Sequence, residues 1–379
     1  MLKRILFFLI ILFLPTQLGR HFWPSFTQVA GFRIDYLSPT IYFSDILILF
    51  YILSGLPRLL HFLKAQIKAV IFLFAFVSLN LLFSLSPLST LFVWLRWLYY
   101  LMFIATLRVN RVKSVSVLLP LSFSVIFIVF LEIAQFFRQA SLGGPFYFLG
   151  ERAFNQATPH VAKFIFNNDI FIRSYATFSH PNSLAGFLLI SLFLFRLNRY
   201  SLLVQIIATI GIMFSFSKTV IASTLFYLSG LFRKNTLPLL LFLPLAVLIL
   251  SPLPISSLIN RTALVMPTLS IISQYPIFGV GLGGNIPSLA KNLPGNKVTP
   301  ALLQPVHNLP LLVIAETGLF GLLVLASLVL KTKIYKDHLF IEFLSLILLT
   351  GGFDHYWLTL PQNKLILLIG LYLTLSHKS

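Results

Sequence analysis

Apolar runs of about 13–23 residues, cut by charges and by proline or glycine, follow one another along almost the whole chain. They fall at about 5–19, 41–57, 69–85, 90–107, 115–137, 182–195, 201–216, 219–232, 237–252, 307–330, 339–353 and 363–376. At about 1.5 Å of rise per residue, the longer ones reach across a bilayer core roughly 30 Å thick. The pattern predicts an all-α polytopic membrane protein of about twelve transmembrane helices, or about ten or eleven if the shortest runs do not cross. Two breaks are long, at about 138–181 and 253–306. A further polar stretch, 17–40, carries Trp23 and Tyr36, rings suited to a membrane interface. No repeat of fixed period and no detached soluble unit interrupts the series, so 1–379 reads as a single integral membrane domain. The opening Met1-Leu2-Lys3-Arg4 and the apolar run to Leu14 look like a signal peptide. No small-residue cleavage site follows, and the run reads as an uncleaved first span.

Composition supports the pattern. The chain is 58% hydrophobic and 10% charged, with a mean hydropathy of +0.93, whereas soluble domains carry about a quarter charged residues. A net charge of +19 invites a nucleic-acid reading. The basic residues punctuate the apolar runs rather than gather on one tail, so no nucleic-acid partner is read. With the N-terminus inside, one set of short connections holds Lys3 and Arg4, then Arg58, Lys64 and Lys68, then Arg108, Arg111 and Lys113. Arg196, Arg199, Arg233, Lys234, Lys331, Lys333 and Lys336 continue it, and Lys378 ends it. The opposite connections, near Ser86 and Ser217, offer only Lys218. The asymmetry predicts cytoplasmic termini and places both long polar segments outside the cytoplasm. The absence of cysteine excludes disulfides and thiolate-bound zinc.

Ionisable residues inside the runs are unfavourable unless they face a cavity or a partner. Arg96, Glu132 and Glu316 lie within runs, and Lys218 stands at the outer end of one. An ion pair of Arg96 with Glu132 or Glu316 is the structural alternative. Cations outnumber acids, however, and an anionic ligand would balance Arg96 and Lys218. The first polar segment ends Arg173-Ser174-Tyr175-Ala176-Thr177-Phe178-Ser179-His180-Pro181-Asn182. Pro181 disfavours helix at His180, and Asn182 or Ser183 can cap the helix that follows. A helix start with an arginine just upstream suits an anion. The second segment contains Arg261, the glycine run Tyr275-Pro276-Ile277-Phe278-Gly279-Val280-Gly281-Leu282-Gly283, and His307-Asn308 at its end. No Lys-Ser/Thr pair follows the glycines, so a nucleotide loop is excluded. They read as a flexible turn that lets backbone approach a lipid-linked ligand.

Together these pieces resemble the O-antigen ligase and O-antigen polymerase superfamily. They comprise Arg173 with Thr177–Ala185, Phe214-Ser215-Phe216-Ser217-Lys218-Thr219, Arg261, Tyr275–Gly283, and His307-Asn308 with Ala315-Glu316-Thr317-Gly318-Leu319-Phe320-Gly321. The resemblance implies a membrane glycosyltransferase C fold and a lipid-linked donor, a glycan on undecaprenyl diphosphate. It implies an acceptor hydroxyl on lipid, glycan or protein, and a site at the outer face of the bacterial cytoplasmic membrane. Arg173 and Arg261 would clamp the diphosphate, with Lys218 and Arg96 adding charge. His307 would be the general base; an imidazole titrates near neutrality. His180, Asn182, Asn308 and Glu316 would support them. Relatives place arginine where this chain has Lys218, which keeps the charge and loses the planar fork. Asp354 and His355 look like part of the family's outer rim, without an assigned role.

A diphosphate leaves as a weak base, so neither a general acid nor a cofactor is implied. Glycosidases need a carboxyl pair because their leaving group is an alkoxide. A metal held by His180, His307 and His355 competes, although there is no His-x-x-x-His pair or Asp-x-Asp. The reading is a ligase, with a polymerase or a protein O-oligosaccharyltransferase as variants that share the donor site. From other classes come a lipid-linked sugar flippase and an envelope scaffold. A flippase would often show inverted repeats, and none is seen.

Overall fold

The structure, a computed structural model, describes residues 1–166, 169–229, 262–293 and 298–376. Each predicted run among the described residues carries a helix. The first eight are α1 (Leu2–Leu12), α2 (Phe43–Ala65), α3 (Ile67–Leu82), α4 (Pro87–Val109), α5 (Ser114–Arg138), α6 (Pro181–Leu197), α7 (Leu202–Phe214) and α8 (Lys218–Ser229). The second polar segment adds α9 (Val265–Gln274) and α10 (Asn285–Asn292). Then follow α11 (Leu309–Thr332), α12 (His338–Gly351), the single turn α13 (Tyr356–Thr359) and α14 (Pro361–Ser376). By length and composition α2, α4, α5 and α11 can cross a bilayer, while α3, α6, α7 and α12 are shorter apolar helices. This is an integral membrane protein. The run predicted at 237–252 and Arg261 lie outside the described residues.

Two expectations need correction. The first run, expected to reach residue 19, is helical only to Leu12. Pro15 cannot donate to a continuing helix, and the chain soon enters a strand. The fold is also not purely helical. Strands β1 (Gly19–His21) and β4 (Thr40–Tyr42) pair antiparallel, as do β2 (Gln28–Val29) with β3 (Phe32–Arg33), and β5 (Lys163–Phe166) with β6 (Asp169–Ile172). All three hairpins lie in polar segments, where backbone amides outside a helix still need partners.

α6 is the buried centre. Its side chains from Ser183 to Phe195 are all enclosed, by α5, α7, α8 and α14. A helix that is apolar all round belongs inside a bundle. Ser183 Oγ donates to Asn363 Oδ1 over 2.6 Å, and Asn363 Nδ2 returns a bond to the Ser183 carbonyl, fixing the first turn of α6 to α14. The residues that begin α6 are therefore held rigidly.

The glycine run docks on a break in α11. Gly318 has φ 63° and ψ −170°, which interrupts the helix. The freed backbone is satisfied from outside: Leu319 and Phe320 N–H donate to the carbonyls of Pro276 and Ile277. In return, Val280 and Gly281 N–H donate to the carbonyls of Ala315 and Glu316. Backbone meets backbone so closely that a Cβ on Gly279 would stand 2.6 Å from the Ala315 oxygen, and one on Gly318 would strike the Ile277 carbonyl. Gly279 and Gly318 thus serve the close approach of the glycine run to α11. Non-helical backbone at such depth persists only where protein satisfies it.

Candidate active site

The site begins with how the first polar segment is tied down. Gln135 of α5 accepts from the N–H groups of Tyr175 and Ala176 at 3.1 and 2.7 Å, and donates to Glu151 Oε1 at 2.7 Å. Buried Glu151 also accepts from Leu142 and Gly143 N–H. Above, the β5–β6 hairpin stacks Phe164 on Phe216 with centroids 4.0 Å apart, and Phe136 packs against Phe164 and Phe171. Burial, the largest cause, pushes the Tyr175 phenol above its ordinary range, so it stays a neutral ring facing Arg152.

These contacts set Arg173, one residue past β6, over the turn between α7 and α8. Its Nε donates to the Ser215 carbonyl at 2.9 Å. Lys218 opens α8 just beyond. Desolvation first, and the charge of Arg173 second, push its ammonium below the ordinary lysine range. Two cations that repel each other share this corner. At the head of α6, His180 rather than Asn182 or Ser183 is the cap: its Nδ1 accepts from Asn182 N–H at 3.1 Å. The cap leaves the Asn182 amide for other partners. Its Oδ1 accepts from Arg173 Nη2 at 2.7 Å, and its Nδ2 donates to Asp354 Oδ2 at 2.9 Å.

His307 reaches the same network from the far end of the sequence. Asn308 caps α11 by accepting from Leu311 N–H, and its Nδ2 donates to the Gly352 carbonyl at 3.0 Å. That bond ties the start of α11 to the end of α12, and so brings His307 to the loop that carries Asp354 and His355. His307 Nδ1 lies 3.6 Å from Asp354 Oδ1, and its ring centroid is 4.9 Å from that of His355. The Thr359 hydroxyl donates its one hydrogen to the His355 carbonyl, so it accepts from His355 Nδ1 at 2.8 Å. Neutral His355 therefore carries its proton on Nδ1.

Other expected residues fall elsewhere. Arg96 pairs with Asp45 of α2 and donates to the Thr40 carbonyl, so its carboxylate is neither Glu132 nor Glu316. Asp45 went unread because it begins an apolar run. It also accepts from Tyr42 N–H as a helix-start carboxylate. The Glu316 carboxyl faces the backbone amides of Gly283 and Asn285 at the start of α10, where a negative group is favoured. Glu132 is enclosed in α5 with no hydrogen-bond partner among the described residues, within the field of Arg173. Arg173, Lys218, Asn182, His180, His307 and Asn308 thus gather in one region. Arg96 and Glu316 serve other contacts.

Sequence reasoning singled out Asp354 without a role, and its position behind His307 comes from folding. The one signal was a buried-type acid next to histidine in a short loop. His307, Asp354 and His355 offer one donor atom each within 4.8 Å of one another. Both Asp354 oxygens also accept hydrogen bonds, from Asn182 and from His355 N–H. Beside this network lies a cavity of about 1190 Å³, walled by Trp23, Tyr36, Tyr42, Arg96, Tyr99, His180 and Lys364. Tyr36 meets the His355 ring edge-on at 5.3 Å, so cavity and network share a wall.

No curated protein and no solved structure matches the chain. The family model Wzy_C, described as O-Antigen ligase, matches residues 175–326. The stretch runs from the loop just after Arg173, through His180, Asn182 and Lys218, to His307 and the broken helix α11. Residues 175–326 of this integral membrane protein are thus similar to the O-antigen ligase family model, whose members are glycosyltransferase-like enzymes, and the match supports the resemblance to the O-antigen ligase and O-antigen polymerase superfamily.

Proposed function

We propose that the protein transfers a glycan from undecaprenyl diphosphate to an acceptor hydroxyl at the outer face of the cytoplasmic membrane, as a ligase. The observation that carries this reading is the continuous path Arg173–Asn182–Asp354, with His307 3.6 Å from the same carboxylate. A cation suited to a leaving diphosphate is hydrogen-bonded through Asn182 to Asp354. An imidazole suited to an acceptor proton stands at ion-pair, not hydrogen-bond, distance from that carboxylate, though 134 residues separate Arg173 from His307. His307 takes the proton from the acceptor hydroxyl as oxygen attacks the anomeric carbon, and Asp354 holds the ring and steadies the imidazolium. The glycosyl–phosphate bond breaks, and its electron pair leaves on the diphosphate, which Arg173 and Lys218 bind with charge-assisted bonds. Arg261 is proposed as a further clamp. Single displacement inverts the anomeric centre. The neighbouring cavity is the acceptor's place in this reading: it offers aromatic faces and hydroxyls, and its wall includes neither Arg173 nor Lys218.

A polymerase or protein O-oligosaccharyltransferase would use the same donor corner and differ in the acceptor. Deleting the gene separates them. A ligase leaves full-length glycan stranded on its carrier, and a polymerase leaves acceptors bearing one unit. A His307→Ala gene should fail to restore surface glycan while its product inserts normally. Full restoration would remove His307 from the chemistry.

A further inference from the structure

Asn182 occupies a position that only an amide can fill as it does. A guanidinium only donates hydrogen bonds and a carboxylate only accepts them. Left in direct contact, Arg173 and Asp354 would pair, which would cancel the charge offered to a diphosphate and turn the carboxylate from His307. Asn182 stands between them with its carbonyl oxygen toward Arg173 and its NH2 toward Asp354, at 2.7 and 2.9 Å. Its own backbone is fixed by His180 at the head of the enclosed helix α6. We propose that Asn182 is a positioning residue that couples the leaving-group clamp to the base, holding Arg173 with one end of its amide and Asp354, the carboxylate that orients His307, with the other. The inference rests on the transfer reading above and adds that clamp and base are built as one unit.

Among the described residues, the groups around His307 that bear on its charge are Asp354 and His355, with Tyr36 beyond the His355 ring in the field of Asp35 and Arg152, and Arg173 behind Asn182. Asn182→Asp puts a carboxylate against both neighbours. It should pair with Arg173, raising the donor KM and weakening inhibition by inorganic pyrophosphate. It should also add negative charge near the imidazole, moving the acid limb of kcat to higher pH. Asn182→Ala removes the spacer and lets Arg173 and Asp354 pair, which turns Asp354 from His307. It should lower kcat by about ten- to a hundred-fold, the range for a lost hydrogen bond to a charged group, raise the donor KM and move the acid limb to lower pH. A merely structural asparagine would give parallel losses in both variants, with KM and limb unmoved, and that result would overturn the coupling. A second readout needs no turnover: the rate of carbethoxylation of His307 against pH, followed by peptide mass. Its midpoint should rise in Asn182→Asp, and an unchanged midpoint would refute the coupling even if transfer stands. Conversely, a shifted midpoint in a protein that transfers no glycan would leave the coupling and remove the function.

Discussion

Lys218 shows how a single substitution can read the electrostatics of the donor corner. Desolvation and the nearby Arg173 lower the affinity of its amine for a proton, so its charge fades as pH rises through a value below the ordinary lysine range. Donor binding should weaken on the alkaline side for this reason. Lys218→Arg keeps its charge throughout, so the KM for the lipid-linked donor should rise less with alkaline pH than in the unsubstituted protein. Superimposable alkaline limbs would take Lys218 out of the clamp. At this scale the sequence was legible for residue types with strong signatures, such as Arg173 and His307. Pairing was less legible: Arg96 was offered Glu132 or Glu316, and its partner is Asp45. Asp45 hides at the start of an apolar run, and Asp354 needed the bond from Asn308 to Gly352 before its place behind His307 could be seen.

Among the elements, the junction between the glycine run and α11 is the least replaceable piece of architecture. Gly318→Ala would force a side chain into a backbone conformation reserved for glycine and against the Ile277 carbonyl. The cost should be about 3 kcal/mol or more, read as a lower unfolding midpoint in detergent; an unchanged midpoint would contradict the junction. Helix positions follow from the apolar runs because bilayer length and hydropathy leave little choice. The hairpins did not, since strands of two to four residues in a polar segment carry no periodicity worth reading. The glycine run was not read from the sequence as docking on α11. Its partner, the break at Gly318, sits in what looks like one continuous apolar run, and only the fold brings the two together.

The whole molecule keeps one rigid helix, α6, at its centre and hangs its chemistry from that helix's first turn. Polar segments far apart in the sequence converge there, because α5 secures one through Gln135 and the α11–α12 contact secures the other. The cavity borders this turn through His180, and the cationic corner meets it through Asn182. The most direct test uses the purified full-length protein in lipid nanodiscs, with EDTA present and a labelled undecaprenyl-diphosphate glycan as donor. The measured quantity is free undecaprenyl diphosphate formed in the presence of acceptor. Release by the unsubstituted protein, abolished by His307→Ala, is the predicted result. An intact glycosyl–phosphate bond throughout, or equal release by the His307→Ala protein, would contradict base-assisted transfer at this site.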